Sequence, residues 1–291
     1  VKDLPKSSYV DPQILKYYDS PSVKYSFKNV IKKILYLLNI SSKRTSSQLY
    51  KDSIRAETKQ AISTLFQVGF QNEKKYTDFP KTKESIEEYL NSLDWNMSWN
   101  AGAQFSALCV FTATQLDGQL KKENESFLYD YLLEVLDKHS GFYYHGQHID
   151  ENEKINGAMK VLTGLDWLGI NIHYPKKLID LCLNTVPSSE GCDLVDIVYV
   201  LYRCSLESDH RKSEIVAYLQ NLESLISSHF YENQGGFSYY ANRSQQNYYG
   251  VKISNGHDAP DIHGTILLTW ALAMIHEIIS PADNPWKIIK P

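Results

Sequence analysis

Cysteine is scarce in this sequence: only four of 291 residues, Cys109, Cys182, Cys192 and Cys204. No two of them have the CxxC spacing typical of zinc clusters and redox motifs, and each lies in or beside an apolar run. A chain of this length buries enough apolar surface to fold without disulfides. We therefore predict buried, reduced thiols and a cytoplasmic protein.

Neither an excess of one charge nor a long apolar run is present. Lys and Arg number 30 and Asp and Glu 34, and a net charge of −4 argues against a nucleic-acid-binding surface. No run reaches the roughly 20 apolar residues of a membrane span, and the opening VKDLPKSSYV has no signal-peptide core. We expect neither nucleic acid nor a membrane span. The first residue is Val1, so the sequence leaves open a segment upstream, and it leaves the oligomeric state open too.

Motifs for nucleotides and redox cofactors are also missing. The chain has no Walker loop, GxSxG or HExxH, and no GxGxxG between a strand and a helix. We therefore expect no cofactor. A Ser-His-Asp triad stays open, because its members need not be adjacent in sequence.

What the sequence does contain is helical periodicity. Segments with one apolar face, such as 57–70 and 125–138, alternate with segments apolar or small nearly all round, such as 101–116 and 193–204. A helix of the second kind needs neighbours on both sides, which an inner ring wrapped by an outer ring provides. We predict an all-α fold: one α/α toroid of about five to six helix pairs that takes up the whole chain. A right-handed superhelix of helix pairs is the alternative.

A weak internal repeat supports helix pairs joined by hairpins. One copy is GFYYHGQ (141–147) followed by INGAMKVLTGLDWLGI (155–170), and another is GGFSYYANRSQ (235–245) followed by DIHGTILLTWALAMI (261–275). Both predict a short Gly–aromatic hairpin, a polar loop and an inner helix that starts with small residues. Gly157 and Gly264 would let such helix starts pack closely on their neighbours. The remaining segments are a partly irregular N-terminal arm (1–53) and a tail (281–291).

These repeats resemble the α/α-toroid superfamily of protein prenyltransferase β-subunits and squalene or terpenoid cyclases. The matching stretches are GGF (235–237), DIHGT (261–265) and LVD (194–196), within about residues 95–280. The resemblance implies the barrel of helix pairs.

The residues that carry the chemistry of that superfamily are only partly present. Prenyltransferase β-subunits hold zinc with the Asp and Cys of an LVDGC-like stretch and the His of a later D-x-x-H-T stretch. Asp196 matches that Asp, whereas Val198 stands at the Cys position and Gly264 at the His position, with His263 one residue early. The D-x-D-D proton donor of terpenoid cyclases does not occur. The resemblance therefore implies the fold and neither chemistry.

Polar and aromatic residues concentrate where a toroid would have its pocket. The N-termini of inner helices converge at one end of a toroid, and helix N-termini favour anions. We expect a pocket there that is lined by Asp, His, Asn and aromatic side chains. The candidate catalytic residues are Asp193, Asp196, Asp261 and His263. The candidate substrate-binding residues are Trp99, Asn100, Gln104, His145, Asn156, Tyr202, Arg203, Tyr239, Tyr240, His257 and Asp258.

The acids among these candidates each have a structural alternative. Asp196 follows Asp193 by three residues inside an apolar helix, so it needs a partner or a raised pKa. Arg203 lies seven residues further on the same stripe and could pair with another inner-helix acid. For Asp193 and Asp261 the alternative is helix N-capping.

The stretch HDAPDIH (257–263) combines two Asp and two His. Such a set could ligate a divalent metal, although its spacing matches no known metal motif. General acid–base catalysis and capping with loop hydrogen bonds are the other interpretations. We expect no resident metal.

Three functions stay open from the sequence. The first is an enzyme that acts on a glycan or glycoconjugate, with Asp196 and Asp261 as acid and base, His263 assisting, and Trp99 with Tyr239 or Tyr240 as the sugar platform. The second is an isoprenoid-handling enzyme of the resembled superfamily. The third is a toroid that binds a small molecule, an oligosaccharide or a partner without turnover.

Overall fold

The computed structural model describes residues 46–145, 150–248 and 251–291. Most of the predicted N-terminal arm therefore lies outside the described residues. Residues 46–53, which we had assigned to that arm, instead form the first turns of a helix. That stretch has no apolar stripe; the partly buried Arg55, which donates to the Tyr89 hydroxyl at 2.7 Å, anchors this part of the helix.

Nine helices dominate the described residues, so the all-α prediction is confirmed. In chain order they are α1 (Ser46–Gln67), α2 (Lys83–Asn91), α3 (Ser98–Gln115), α4 (Gly118–Val135), α5 (Glu151–Leu168), α6 (Pro175–Asn184), α7 (Gly191–Ser205), α8 (Lys212–Ser227) and α9 (Ile262–Ile279). A 3-10 turn (Pro281–Asp283) follows.

The helices alternate between two layers. The odd-numbered helices pack side by side in chain order, and the even-numbered helices pack against them and against each other. Most residues of α3, α5 and α7 are buried, whereas α2, α6 and α8 bury a single face. For α2 to α8 this is the alternation that the periodicity predicts. The one-faced segment 57–70 is an exception, because most of it belongs to α1 and lies in the odd-numbered layer.

Glycines set how closely α3 and α5 approach. A Cβ on Gly157 would lie 2.3 Å from the Ser98 hydroxyl oxygen, and one on Gly102 would lie 2.9 Å from the Gly157 carbonyl oxygen. The predicted close packing at Gly157 is therefore confirmed. Gly264 differs from the prediction, because its Cβ would meet the Tyr239 nitrogen at 2.4 Å. It packs on a hairpin and not on a neighbouring helix.

Short antiparallel pairs lie at the predicted Gly–aromatic segments. In the second repeat, β1 (Phe230–Tyr231) pairs with β2 (Gly236–Phe237), with Phe230 opposite Phe237. In the first repeat a single bridge joins Leu136 to Tyr143. A second small pair follows the GGF hairpin: β3 (Asn247–Tyr248) and β4 (Val251–Lys252).

All four cysteines are free, as the sequence predicts. Cys109, Cys182 and Cys204 are buried and Cys192 is half-buried. Burial raises the pKa of the Cys192 thiol to about 11, so this thiol is protonated at neutral pH.

One helix among the described residues is long and apolar enough to cross a membrane. It is α9, whose 18 residues have a mean hydropathy of 1.5 and are one-third buried. Length and composition alone give this result, and a core helix of a soluble protein also meets the criterion.

Candidate active site at the N-terminal ends of the odd-numbered helices

A buried acid with an unpartnered oxygen lies on α7. Asp196 is 2% exposed, and its Oδ2 atom accepts no hydrogen bond from any described residue. Burial raises the pKa of this carboxyl to about 7; the Lys160 ammonium lowers it, and the Asp193 and Glu153 carboxylates raise it further. Burial thus brings the pKa of the Asp196 carboxyl into the range where this group can gain and lose a proton near neutral pH.

Asp193 lies one turn before Asp196 and is held by two side chains. The Asn156 amide donates to Asp193 Oδ1 at 2.8 Å, and the Ser188 hydroxyl donates to Oδ2. The N-cap of α7 is Glu190, so the capping alternative for Asp193 is not what the structure shows. The Asn156 Oδ1 atom is buried and has no hydrogen-bond partner among the described residues.

Glu153 and Lys160 of α5 lie near the Asp196 carboxyl. The sequence analysis missed both charged residues. Glu153 is half-buried and accepts from the Trp99 backbone N–H at 2.9 Å; burial raises the pKa of this carboxyl. The Lys160 ammonium lies 5.6 Å from the centroid of the Trp99 ring. Residues 153, 156 and 160 share one stripe of α5 at helical spacing, and that spacing was the available signal.

A cluster of aromatic rings at the start of α9 lies beside the helix turn that carries Asp193 and Asp196. The Tyr239 ring stacks on His263 with centroids 5.1 Å apart, and Tyr240 and Tyr248 meet the pair edge-on. The Tyr239 hydroxyl interacts with the Cys192 thiol, one turn before Asp196. Burial lowers the pKa of His263. The predicted aromatic residues and Asp196 therefore belong to one continuous region.

Both carboxylate oxygens of Asp261 accept hydrogen bonds from backbone N–H groups. Its Oδ1 accepts from the Gly264 N–H at 2.8 Å as the N-cap of α9, and its Oδ2 accepts from the Tyr239 and Gln245 N–H groups at 2.8 and 2.9 Å. Three backbone donors fix this carboxylate between the hairpin and the helix. The geometry thus favours the capping alternative for Asp261 over acid–base use.

The other candidates divide between this end and elsewhere. Trp99 and Asn100 are half-buried in the first turn of α3, and the exposed Asp258 accepts from the Tyr231 hydroxyl. His145 and His257 are exposed. The buried Gln104 accepts from the Tyr89 hydroxyl at 2.8 Å, a contact between α2 and α3 that faces away from the acids.

Tyr202 and Arg203 do not belong with Asp196. Both lie in the last turn of α7, about 10 Å further along the helix axis at its rise per residue. The Arg203 guanidinium pairs with Asp166 of α5 at 3.4 Å. The predicted pairing of Arg203 with another inner-helix acid is confirmed.

The described residues do not fit a metal site. No three of their His, Cys, Asp or Glu side chains are placed to hold one ion. Within HDAPDIH, Asp261 accepts from backbone N–H groups and His263 Nδ1 meets Gln245 Oε1 at 2.6 Å. At the resembled zinc positions, Val198 is fully buried and Gly264 offers only its backbone.

No protein-family model matches the chain, and comparisons with curated proteins and with solved structures also found no match. The resemblance to the toroid superfamily therefore depends on its short motifs. The structure places GGF at β2 and DIHGT at the N-terminus of α9, where hairpin and inner helix meet.

Proposed function

We propose that the chain is an α/α-toroid enzyme that uses the Asp196 carboxyl as proton donor and acceptor in a reaction on a glycan or glycoconjugate. The observation that carries this is the environment of Asp196: burial, an unpartnered oxygen, and a pKa near 7 beside a lysine and two further acids. General acids and bases work best when their pKa lies near the operating pH.

Contacts that skip a helix support the toroid. The rings of Phe66 on α1 and Trp167 on α5 lie 5.9 Å apart, although α3 stands between these helices in the layer. At the two ends of the layer, Gln67 of α1 and Trp270 of α9 reach neighbouring residues of the chain, Lys290 and Ile289. A flat layer of five helices would keep these groups far apart, so these contacts favour a layer that curves toward closure.

Glu153 is our second carboxylate, in place of Asp261. It is half-buried, so water reaches it, and it needs no release from three backbone donors. In hydrolysis, Asp196 gives its proton to the leaving oxygen of the glycosidic bond while Glu153 takes one from the attacking water. Proton exchange with solvent then restores both groups. The Lys160 ammonium stabilises the Asp196 carboxylate that remains after the proton has been given up.

The aromatic group supplies the sugar platform. Tyr248 is 37% exposed and Tyr240 is half-buried, with the Arg243 guanidinium 4.6 Å from the Tyr240 ring centroid. Such ring faces stack on pyranose rings, and the arginine donates to hydroxyls. The Tyr239 hydroxyl, which interacts with the Cys192 thiol, connects this platform to the helix turn that carries Asp196.

The test is turnover by the Asp196→Asn variant. Purified chain is incubated with a panel of oligosaccharides at pH 7, and products are measured by mass spectrometry. We expect the wild type to cleave one class and the variant to lose at least about 100-fold in rate while staying folded. Asp209→Asn is the matched control, since this exposed acid pairs with the exposed Lys212 and with no other described residue.

Two results would contradict the proposal. Full activity of Asp196→Asn would remove Asp196 from the chemistry. Saturable binding of a glycan without turnover by the wild type would make the toroid a binding module. The four free cysteines suit a reducing compartment, so a cytoplasmic location is part of this proposal.

A further inference from the structure

The opposite end of the helix layer holds a short extended segment by its main chain. This segment, residues 284–291, is called the strap. The Gln67 amide donates to the Lys290 carbonyl at 2.6 Å and accepts from the Lys290 N–H at 2.5 Å. One side chain thereby satisfies both main-chain groups of a residue, as a neighbouring β-strand would.

Two tryptophans add to this main-chain recognition. The Trp270 indole N–H donates to the Ile289 carbonyl at 3.2 Å, and the Trp167 indole N–H donates to the Pro291 carbonyl at 3.0 Å. Together with Gln67, the donors come from α1, α5 and α9. Hydrogen bonds to main-chain groups bind an extended peptide whatever its side chains are.

One side chain of the strap has a subsite of its own. The Lys290 ammonium donates to the Asp166 carbonyl at 2.6 Å, lies 3.2 Å from Asp166 Oδ1, and stands 5.7 Å from the Trp167 ring centroid. A carboxylate, a carbonyl and an aromatic face together select an ammonium group. This subsite specifies lysine at one position.

The strap occupies its groove loosely. A cavity of about 430 Å³ beside Lys290 is lined by Phe66 and Trp167, whose rings contact each other edge-on, and a second of about 190 Å³ is lined by Lys290, Ile289 and Arg203. The Ile289 side chain is 44% exposed and Trp286 52%. Ile288 is the side chain of the strap that packs against the hydrophobic core, and the remaining contacts are polar ones that another chain can reproduce.

We propose that this groove is a binding site for an extended peptide in which an aliphatic residue stands two positions before a lysine, and that the strap, with Ile288 and Lys290, fills it in cis. Gln67, Trp167 and Trp270 bind the main chain of the peptide, and Asp166 binds its lysine. The site is separate from the acid–base site at the other end, and it stands or falls independently of the proposed function.

The test frees the groove by one charge reversal. In the full chain, Lys290→Glu sets a carboxylate against Asp166 and releases the strap. The probe is a fluorescein-labelled synthetic peptide with the sequence of residues 284–291, followed by anisotropy. We expect saturable binding to this variant about tenfold or more tighter than to the wild type, whose own strap competes. Lys287→Glu is the matched control, because Lys287 is exposed and contacts no described acid, and it should behave as the wild type.

Three further experiments test whether the peptide binds in the groove. Gln67→Ala in the Lys290→Glu chain should weaken binding by about tenfold through two lost main-chain hydrogen bonds. A peptide with Glu in place of the lysine should not bind. Hydrogen exchange of the N–H of residue 290, which donates to Gln67 in the wild type, should show that the strap is released.

Three outcomes would overturn the proposal. Retained strap protection in the Lys290→Glu chain would mean that Asp166 does not hold the lysine. A released strap without peptide binding, or binding insensitive to Gln67→Ala, would mean that the groove is no peptide site. Dimers of the wild type that exchange straps in size-exclusion chromatography would make a second copy the occupant.

Discussion

Two aspartates on the neighbouring helices α5 and α7 have opposite surroundings. Asp166, near the C-terminal end of α5, lies between two cations, Arg203 at 3.4 Å and Lys290 at 3.2 Å. Asp196, near the N-terminal end of α7, has an unpartnered oxygen and a pKa raised to about 7 by burial. The same side chain is thus held in ion pairs at one end and can take up a proton near neutral pH at the other. Two cations contact Asp166 directly, whereas Lys160 lowers the pKa of the buried Asp196 less than burial raises it.

The largest loss of stability is expected at Gly264, where the hairpin that carries Tyr239 packs on the first turn of α9. A Cβ on Gly264 would lie 2.4 Å from the Tyr239 nitrogen and 2.5 Å from the Ser238 carbonyl carbon, so backbone has to move. We expect Gly264→Ala to lower the free energy of unfolding by about 5 kcal/mol, in urea denaturation.

A glycine without close neighbours is the control for this clash. Gly118 has φ +61° and no atom within 4 Å of a Cβ, so Gly118→Ala should cost only about 1 kcal/mol. Equal losses in the two variants would mean that the hairpin does not pack tightly on α9.

Asp196→Asn should make the protein more stable, and only at higher pH. The folded-state pKa near 7 lies above the ordinary value of 3.8, so the folded state binds the extra proton between about pH 4 and pH 7. Stability of the wild type therefore falls as pH rises through that window. At pH 8 the variant should gain up to about 4 kcal/mol, and at pH 4 almost nothing. Denaturation curves at both pH values measure this, and a variant less stable at pH 8 would contradict it.

The same substitution at the other end should act in the opposite direction. Asp166→Asn leaves Arg203 and Lys290 without their carboxylate, so we expect a loss of about 2 kcal/mol at pH 8, in thermal or urea unfolding. Asp209→Asn should change stability by less than about 0.5 kcal/mol, because its pair with Lys212 is exposed. A neutral Asp166→Asn would mean that the two ends do not differ.

Much of the fold was predictable from the sequence, because helical periodicity and small residues are local signals. The all-α class, the alternation of helices and the close contact at Gly157 all follow from them. Gly264 was predicted to pack tightly, but its partner was not predicted. The partner is the hairpin that carries Tyr239. Asp261 holds it by accepting from the Tyr239 and Gln245 N–H groups, which are far from Asp261 in sequence.

The candidate site was predictable only in part. Asp196 stands out as an acid inside an apolar helix, whereas Glu153 and Lys160 are residue types common on any helix surface. Their role depends on α5 facing α7, which periodicity does not specify. The strap gave no signal at all, because Gln67 lies 223 residues from its partner Lys290.

The smallest expected effect is on the reactivity of Lys59, a lysine of α1. Burial lowers the pKa of Lys59 to about 7, and the Lys160 ammonium lowers it further. A large share of its amine is therefore neutral at pH 7. We expect the rate at which acetic anhydride labels Lys59, followed by peptide mass spectrometry between pH 5 and pH 10, to have its midpoint near pH 7 and to level off above it. A rate that still rises at pH 10 would contradict the lowered pKa.

The carboxyl pKa of Asp196 is the quantity on which the contrast between the two ends depends. It can be measured by following the carboxyl carbon resonances of aspartate-labelled protein between pH 3 and pH 9, with Asp196→Asn to assign the signal. The structure predicts a midpoint near 7 that is absent from the variant. A midpoint near 4 would show that Asp196 is solvated or paired, and would remove the basis for its role as a proton donor.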